Sequence, residues 1–149
     1  MVNNIKEEMK RYNHLNTEIE GVYHEAAWRL GLSDSAMFIL YTICEHDGSC
    51  LLGDITRLSG ISKQTINSAL RKLENDGIVF LEPAGGRTKK VCLTEKGKRT
   101  VKDTVCRLIE IENNIFSSWK AQERELYLEL TQRYLTALKE GIHELGREL

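Results

Sequence analysis

The sequence predicts a mainly α-helical protein with one small β-hairpin, and three observations carry that prediction. Apolar residues recur at three- and four-residue intervals over most of the 149 positions, the period of half-buried helices. The single proline, Pro83, lies beside Gly85-Gly86, between two short β-prone runs that read as a hairpin. The hydrophobic fraction of 41% supports a real core, yet no apolar run approaches the roughly 20 residues needed to span a bilayer.

From about Asn4 to Leu30, Ile5, Met9, Tyr12, Ile19, Val22, Ala26 and Leu30 share a helical stripe, mildly interrupted at Gly21. Gly31-Leu32 closes this helix, and Ser33 is a suitable N-cap for the next. From Ala36 to His46 the chain is apolar almost all round, with Met37, Phe38, Ile39, Leu40, Ile43 and Cys44. A helix of that kind is a buried one. Asp47-Gly48-Ser49 is the turn out of it.

A third, short helix sets Leu52, Ile55 and Leu58 on one face, and Gly60 ends it with the left-handed residue such an end needs. Ile61 fills the turn and Ser62 caps a fourth helix from about Lys63 to Asn75. Ile66, Leu70 and Leu73, with Ala69 beside them, form its apolar face. At 100° per residue the opposite face carries Gln64, Ser68, Arg71 and Asn75, flanked by Thr65, Asn67 and Lys72. That face holds no large apolar residue. Its Asn, Gln and Arg side chains suit two-point hydrogen bonds to base edges, and its Ser suits single ones.

Gly77 ends the fourth helix; Ile78–Leu81 then reads as a strand and Lys90–Leu93 as its antiparallel return. The tip between them, Pro83 to Lys89, ends in cations. Two helices joined by a short glycine turn, followed by a basic hairpin, make a winged helix-turn-helix. Its second helix suits a DNA major groove, and its hairpin suits the backbone or minor groove alongside.

Thr94 caps a helix expected from Glu95 to Trp119, with Val101, Val105, Leu108, Ile109, Ile115 and Phe116 on its apolar face. After a break near Lys120, a last helix runs from about Ala121 to Gly146. There Leu128, Leu135, Ile142 and Leu149 recur every seven residues, a short coiled-coil-like seam that Leu126, Leu130 and Tyr134 widen. The predicted order is therefore α-α-α-α-β-β-α-α. Residues 33–94 form the winged helix-turn-helix unit, and residues 1–32 and 95–149 form a helical dimerisation region. The terminal helices carry more apolar surface than one small core uses, and a homodimer across a two-fold axis is the economical way to cover it.

Net charge is −1, which by itself says nothing about nucleic acid, but its distribution does. Residues 87–102 hold seven Lys/Arg against one Glu, while the N- and C-terminal portions are acidic. A basic patch on an otherwise acidic chain is the electrostatic footprint of a DNA-binding edge. The candidate DNA-binding residues are Ser62, Lys63, Gln64, Thr65, Asn67, Ser68, Arg71 and Lys72 on the fourth helix and its cap, and Arg87, Thr88 and Lys89 on the hairpin. Of these, Lys63, Thr65 and Lys72 suit phosphates, which position rather than specify.

No metal, cofactor or catalytic site is expected. Cys44, Cys50, Cys92 and Cys106 have no CxxC spacing and are expected as thiols. Cys44, His46, Asp47 and Cys50 match no zinc pattern. His24-Glu25-Ala26-Ala27-Trp28 begins like HExxH but has Trp at the second histidine position. The N-terminus, MVNNIKEEMKRYN, lacks an apolar signal-peptide core, so a cytoplasmic location is expected.

In this order of elements the chain resembles MarR-type (multiple-antibiotic-resistance regulator) transcription factors. The resemblance rests on Leu32-Ser33, on the run Asp54 to Lys63 through the turn, on Leu70 to Val79 leading into the wing, and on Val91 to Gly97 after it. It implies a cytoplasmic homodimer that binds double-stranded DNA at a pseudo-palindromic operator, often as a repressor, often released by a small-molecule effector or by cysteine oxidation. The tip departs from the family's Asp-x-Arg pattern. Arg87 matches the tip arginine, but Gly85-Gly86-Arg87-Thr88-Lys89-Lys90 has no aspartate and the wing reads as shortened. The other reading of the same residues is a winged-helix module that binds a protein partner and no DNA.

Overall fold

The structure is a computed structural model and describes residues 4–146; Leu149 of the expected seam lies outside them. The chain divides into two compact units that meet between Ile109 and Glu110.

The first unit opens with α1 (Asn4–Arg29) and α2 (Asp34–Glu45), followed by β1 (Ser49–Leu51), α3 (Leu52–Ser59) and α4 (Lys63–Asn75). It continues through β2 (Val79–Pro83), β3 (Lys89–Leu93) and α5 (Glu95–Asp103) to the first turns of α6 (Val105–Ser118). The expected caps are in place: the Ser33 hydroxyl accepts from the Ala36 amide at 3.1 Å and that of Ser62 from the Thr65 amide at 3.2 Å. Gly60 has φ 63°, the left-handed turn between α3 and α4 that a Cβ would strain. Ile39, Leu40, Ile43, Ile55, Ile66, Val91 and Val105 are fully buried and tie α2, α3, α4, the sheet and α6 into one core. Each such side chain contributes roughly 1.5–3 kcal/mol of transfer free energy.

Three features differ from the sequence expectation. First, Ser49–Leu51 is a strand, so the sheet has three antiparallel strands in the order β1-β3-β2. Three residues carry too little alternation to be read as a strand; β1 exists because the second edge of β3 needs pairing. Second, Leu58 is exposed although Ile55 of the same helix is fully buried. Steps of three residues drift by 60°, so Leu52 and Leu58 stand 120° apart; Ile55 is fully buried, Leu52 packs partly buried against the core, and Leu58 turns out of it. Third, the helix expected over 95–119 breaks at Thr104, which has φ −122° and ψ −96°. The Thr104 hydroxyl donates to the Thr100 carbonyl at 2.8 Å, a back-bond that bends helices. No proline or glycine marks the place, so the periodicity runs through it.

The second unit, described from Glu110 to Gly146, comprises the remainder of α6 and α7 (Ala121–Leu145). Its turn is held by Arg124, whose Nη1 donates to the Trp119 carbonyl at 2.6 Å and the Phe116 carbonyl at 3.3 Å. Phe116, Trp119 and Tyr127 stack around it with ring centroids 5.1–5.9 Å apart. No residue of α7 is buried.

Candidate nucleic-acid interface

The helix-turn-helix of α3 and α4 seats one face of α4 and frees the other. Ile66, Leu70 and Leu73 are buried, whereas Lys63, Gln64, Thr65, Ser68, Arg71, Lys72 and Asn75 are exposed and Asn67 is half-buried. Burial thus follows the 100° geometry of the sequence. The side chains of Lys63, Gln64, Asn67, Ser68, Arg71, Lys72, Arg87 and Lys89 make no intramolecular hydrogen bond or ion pair among the described residues. Their donors and acceptors are left to water or to a ligand.

The other three candidates have structural work to do. Ser62 and Thr65 bond each other through their hydroxyls at 2.8 Å, besides the cap bond. Thr88 folds the hairpin tip: its amide donates to the Gly85 carbonyl at 3.1 Å and its hydroxyl donates to the same oxygen. These three residues build the site's frame, whatever else they touch.

The wing is a five-residue loop, Ala84 to Thr88, closed by the pair Pro83↔Lys89. Pro83, expected in the tip, is the last residue of β2. Proline is tolerated there because β2 is an edge strand and needs no inner donor. Lys90 faces Glu82 across the ladder with 3.6 Å between their charged atoms, so one of the wing's cations is partly neutralised. Lys89 and Arg87 extend beyond it, exposed.

A knot of contacts, which the sequence did not reveal, fixes the junction of α4, the wing and α5. The Thr94 hydroxyl caps α5 by accepting from the Gly97 amide at 2.9 Å and donates to the carbonyl of Gly77. The Thr94 amide reaches the Ile78 carbonyl at 3.0 Å. Lys96 Nζ donates to the Asp76 carbonyl at 2.7 Å, placing a cation at the negative end of α4. Lys98 pairs with Glu95 at 3.1 Å. Gly97 leaves the room for this: a Cβ there would overlap the Ile78 carbonyl oxygen and lie 3.0 Å from its carbon. The signal in the sequence was Thr-Glu-Lys-Gly after the second strand, but its partner positions become visible only in three dimensions.

An α4 held on its apolar face, open on its polar face and followed at once by a basic hairpin defines a winged helix-turn-helix protein. Residues 30–88 match the profile of the MarR family, so that stretch resembles a MarR-type winged helix. No curated protein matches the sequence. Among solved structures, S. aureus MepR in a DNA complex shares 18% identity over 87% of this chain and 96% of that one, with a TM-score of 0.65. NMB1585, a MarR family regulator from Neisseria meningitidis, shares 19% identity over 90% and 94% of the two chains, with a TM-score of 0.74. A MarR transcriptional regulator from Methanosarcina mazei shares 22% identity over 93% and 91%, with a TM-score of 0.59. Likenesses at this level of identity establish the fold. No described helix is long and apolar enough to cross a membrane.

Proposed function

We propose that this chain is a DNA-binding transcriptional regulator that grips a pseudo-palindromic operator as a homodimer, represses from it, and is released by a small-molecule effector. The observation that carries the DNA-binding reading is the uncommitted polar face of α4, where the side chains of Gln64, Asn67, Ser68 and Arg71 have no partner among the described residues. Arg71 suits a guanine edge, and Gln64 and Asn67 suit adenine edges. Lys63 and Lys72 lie beside them for phosphates, and Arg87 and Lys89 carry the contact onto the neighbouring backbone. MepR, similar in fold, is known in a DNA complex.

In this reading residues 33–94 read DNA, and residues 1–32 and 95–149 assemble the dimer in the cytoplasm. The support for dimerisation is apolar surface that its own chain leaves open. Ile5, Met9, Tyr12, Ile19 and Val22 of α1 are exposed, as are Leu128, Leu135, Leu138 and Ile142 of α7. Two-fold symmetry would set the two α4 helices one DNA turn, about 34 Å, apart. Repression and effector release rest on the family resemblance alone.

The test is fluorescence-anisotropy binding to the DNA flanking the chain's own gene, at two salt concentrations, with random duplex as control. With six to ten phosphates neutralised by the dimer, affinity should fall roughly 10³–10⁵-fold between about 50 and 200 mM salt. A folded dimer that binds no duplex in a genome-wide selection is instead a protein-interaction module.

A further inference from the structure

Cys44, in the last turn of α2, and Cys106, in the first turn of α6, are 62 positions apart in sequence, and their sulfurs stand 3.9 Å apart. Both are half-buried free thiols. Neither belongs to the DNA-reading face. The other two cysteines do not meet in this way. Cys50 is paired with Val91 and Cys92 with Ser49, which puts the two side chains on opposite faces of the sheet.

The donor set narrows what such a pair would take. Among the described residues no group of three His, Cys, Asp or Glu side chains gathers to hold a metal ion. Zinc, which takes four donors, is therefore poorly served. Thiolates select soft ions, and the soft monovalent d¹⁰ ions are content with two sulfurs in line. Two metal–thiolate bonds of roughly 2.3 Å span about 4.6 Å, so the sulfurs need only part by less than an ångström. A disulfide requires about 2.05 Å, a closure of nearly twice the ångström.

We propose that Cys44 and Cys106 form a two-thiolate site for a soft monovalent cation of the cuprous class. On binding, both thiol protons pass to solvent, no electron is transferred, and the bridged site carries one net negative charge. The bridge joins α2 to the start of α6, inside the first unit. Burial, with Cys106 beside it, pushes the Cys44 thiol up to about 12. A soft ion of sufficient affinity still displaces the protons.

The experiment is anaerobic titration of the reduced full-length protein with cuprous ion against a chromogenic cuprous chelator. One ion per chain is expected, with a thiolate-to-metal band in the ultraviolet and two sulfur neighbours by X-ray absorption. Cys44→Ser and Cys106→Ser, each checked for folding by circular dichroism, should each lose at least about a hundredfold in affinity, and Cys50→Ser should lose none. If one serine variant fails to fold, the other decides. Retention of the ion by a folded variant, or equal loss in Cys50→Ser, overturns the site. So does a reduced wild-type protein that holds no ion.

Discussion

Gly97→Ala tests the junction that positions the wing. A Cβ at position 97 would overlap the Ile78 carbonyl oxygen, lie 3.0 Å from the carbonyl carbon and 3.3 Å from Leu93 Cδ2. Carbon atoms rest at about 3.5–4.0 Å from one another. The start of α5 must therefore retreat from Ile78, which lies just before β2, by at least about half an ångström, and further to clear the oxygen. That retreat strains packing at a cost of about 1–3 kcal/mol. It also stretches the bond between the Gly97 amide and the Thr94 hydroxyl, a cap whose loss costs about 1 kcal/mol. Alanine's better helix propensity returns about 1 kcal/mol. The net loss is about 2 kcal/mol, which lowers Tm by roughly 4–8 °C in a chain of this size. Thermal unfolding followed by circular dichroism reads it, with Gly53→Ala as control, because nothing lies within 4 Å of a Cβ there. A Gly97→Ala protein as stable as the wild type would refute the close packing of α5 against Ile78.

Arg71→Ala should weaken operator binding by about 1–3 kcal/mol and relax specificity at one base pair; an equal loss on random duplex in the anisotropy assay would make Arg71 a phosphate contact. Lys63→Ala should weaken binding uniformly across sequences and lower the salt slope by about one per site, read by repeating the titration at several salt concentrations. Ser62→Ala removes the bond to the Thr65 amide and should lower stability in urea by about 1 kcal/mol. Leu135→Lys places a charge on the exposed apolar stripe of α7. Sedimentation should then show a monomer and operator affinity should collapse; a persistent dimer would locate the interface elsewhere.

The sequence by itself determined most of the helical elements and the face that α4 buries. The spacing of Ile66, Leu70 and Leu73 fixed which side of α4 enters the core and therefore which side is left for Gln64, Ser68 and Arg71, because a helix repeats every 3.6 residues whatever surrounds it. Ser33, Ser62 and Thr94 capped the helices they precede, because a cap is satisfied by residues three positions away. Only the tertiary structure decided what depends on distant partners. Strand β1 exists because β3 offers it an edge, and Leu58 is exposed because α3 turns only Ile55 and part of Leu52 toward the core. Gly97 matters because Ile78 lies against it, and Cys44 meets Cys106 across 62 residues. Thr65 and Thr88 looked like free polar side chains and are bound into a cap and a turn. Local geometry repeats along a chain and can be read from it; contacts between residues far apart arise only once the elements have packed.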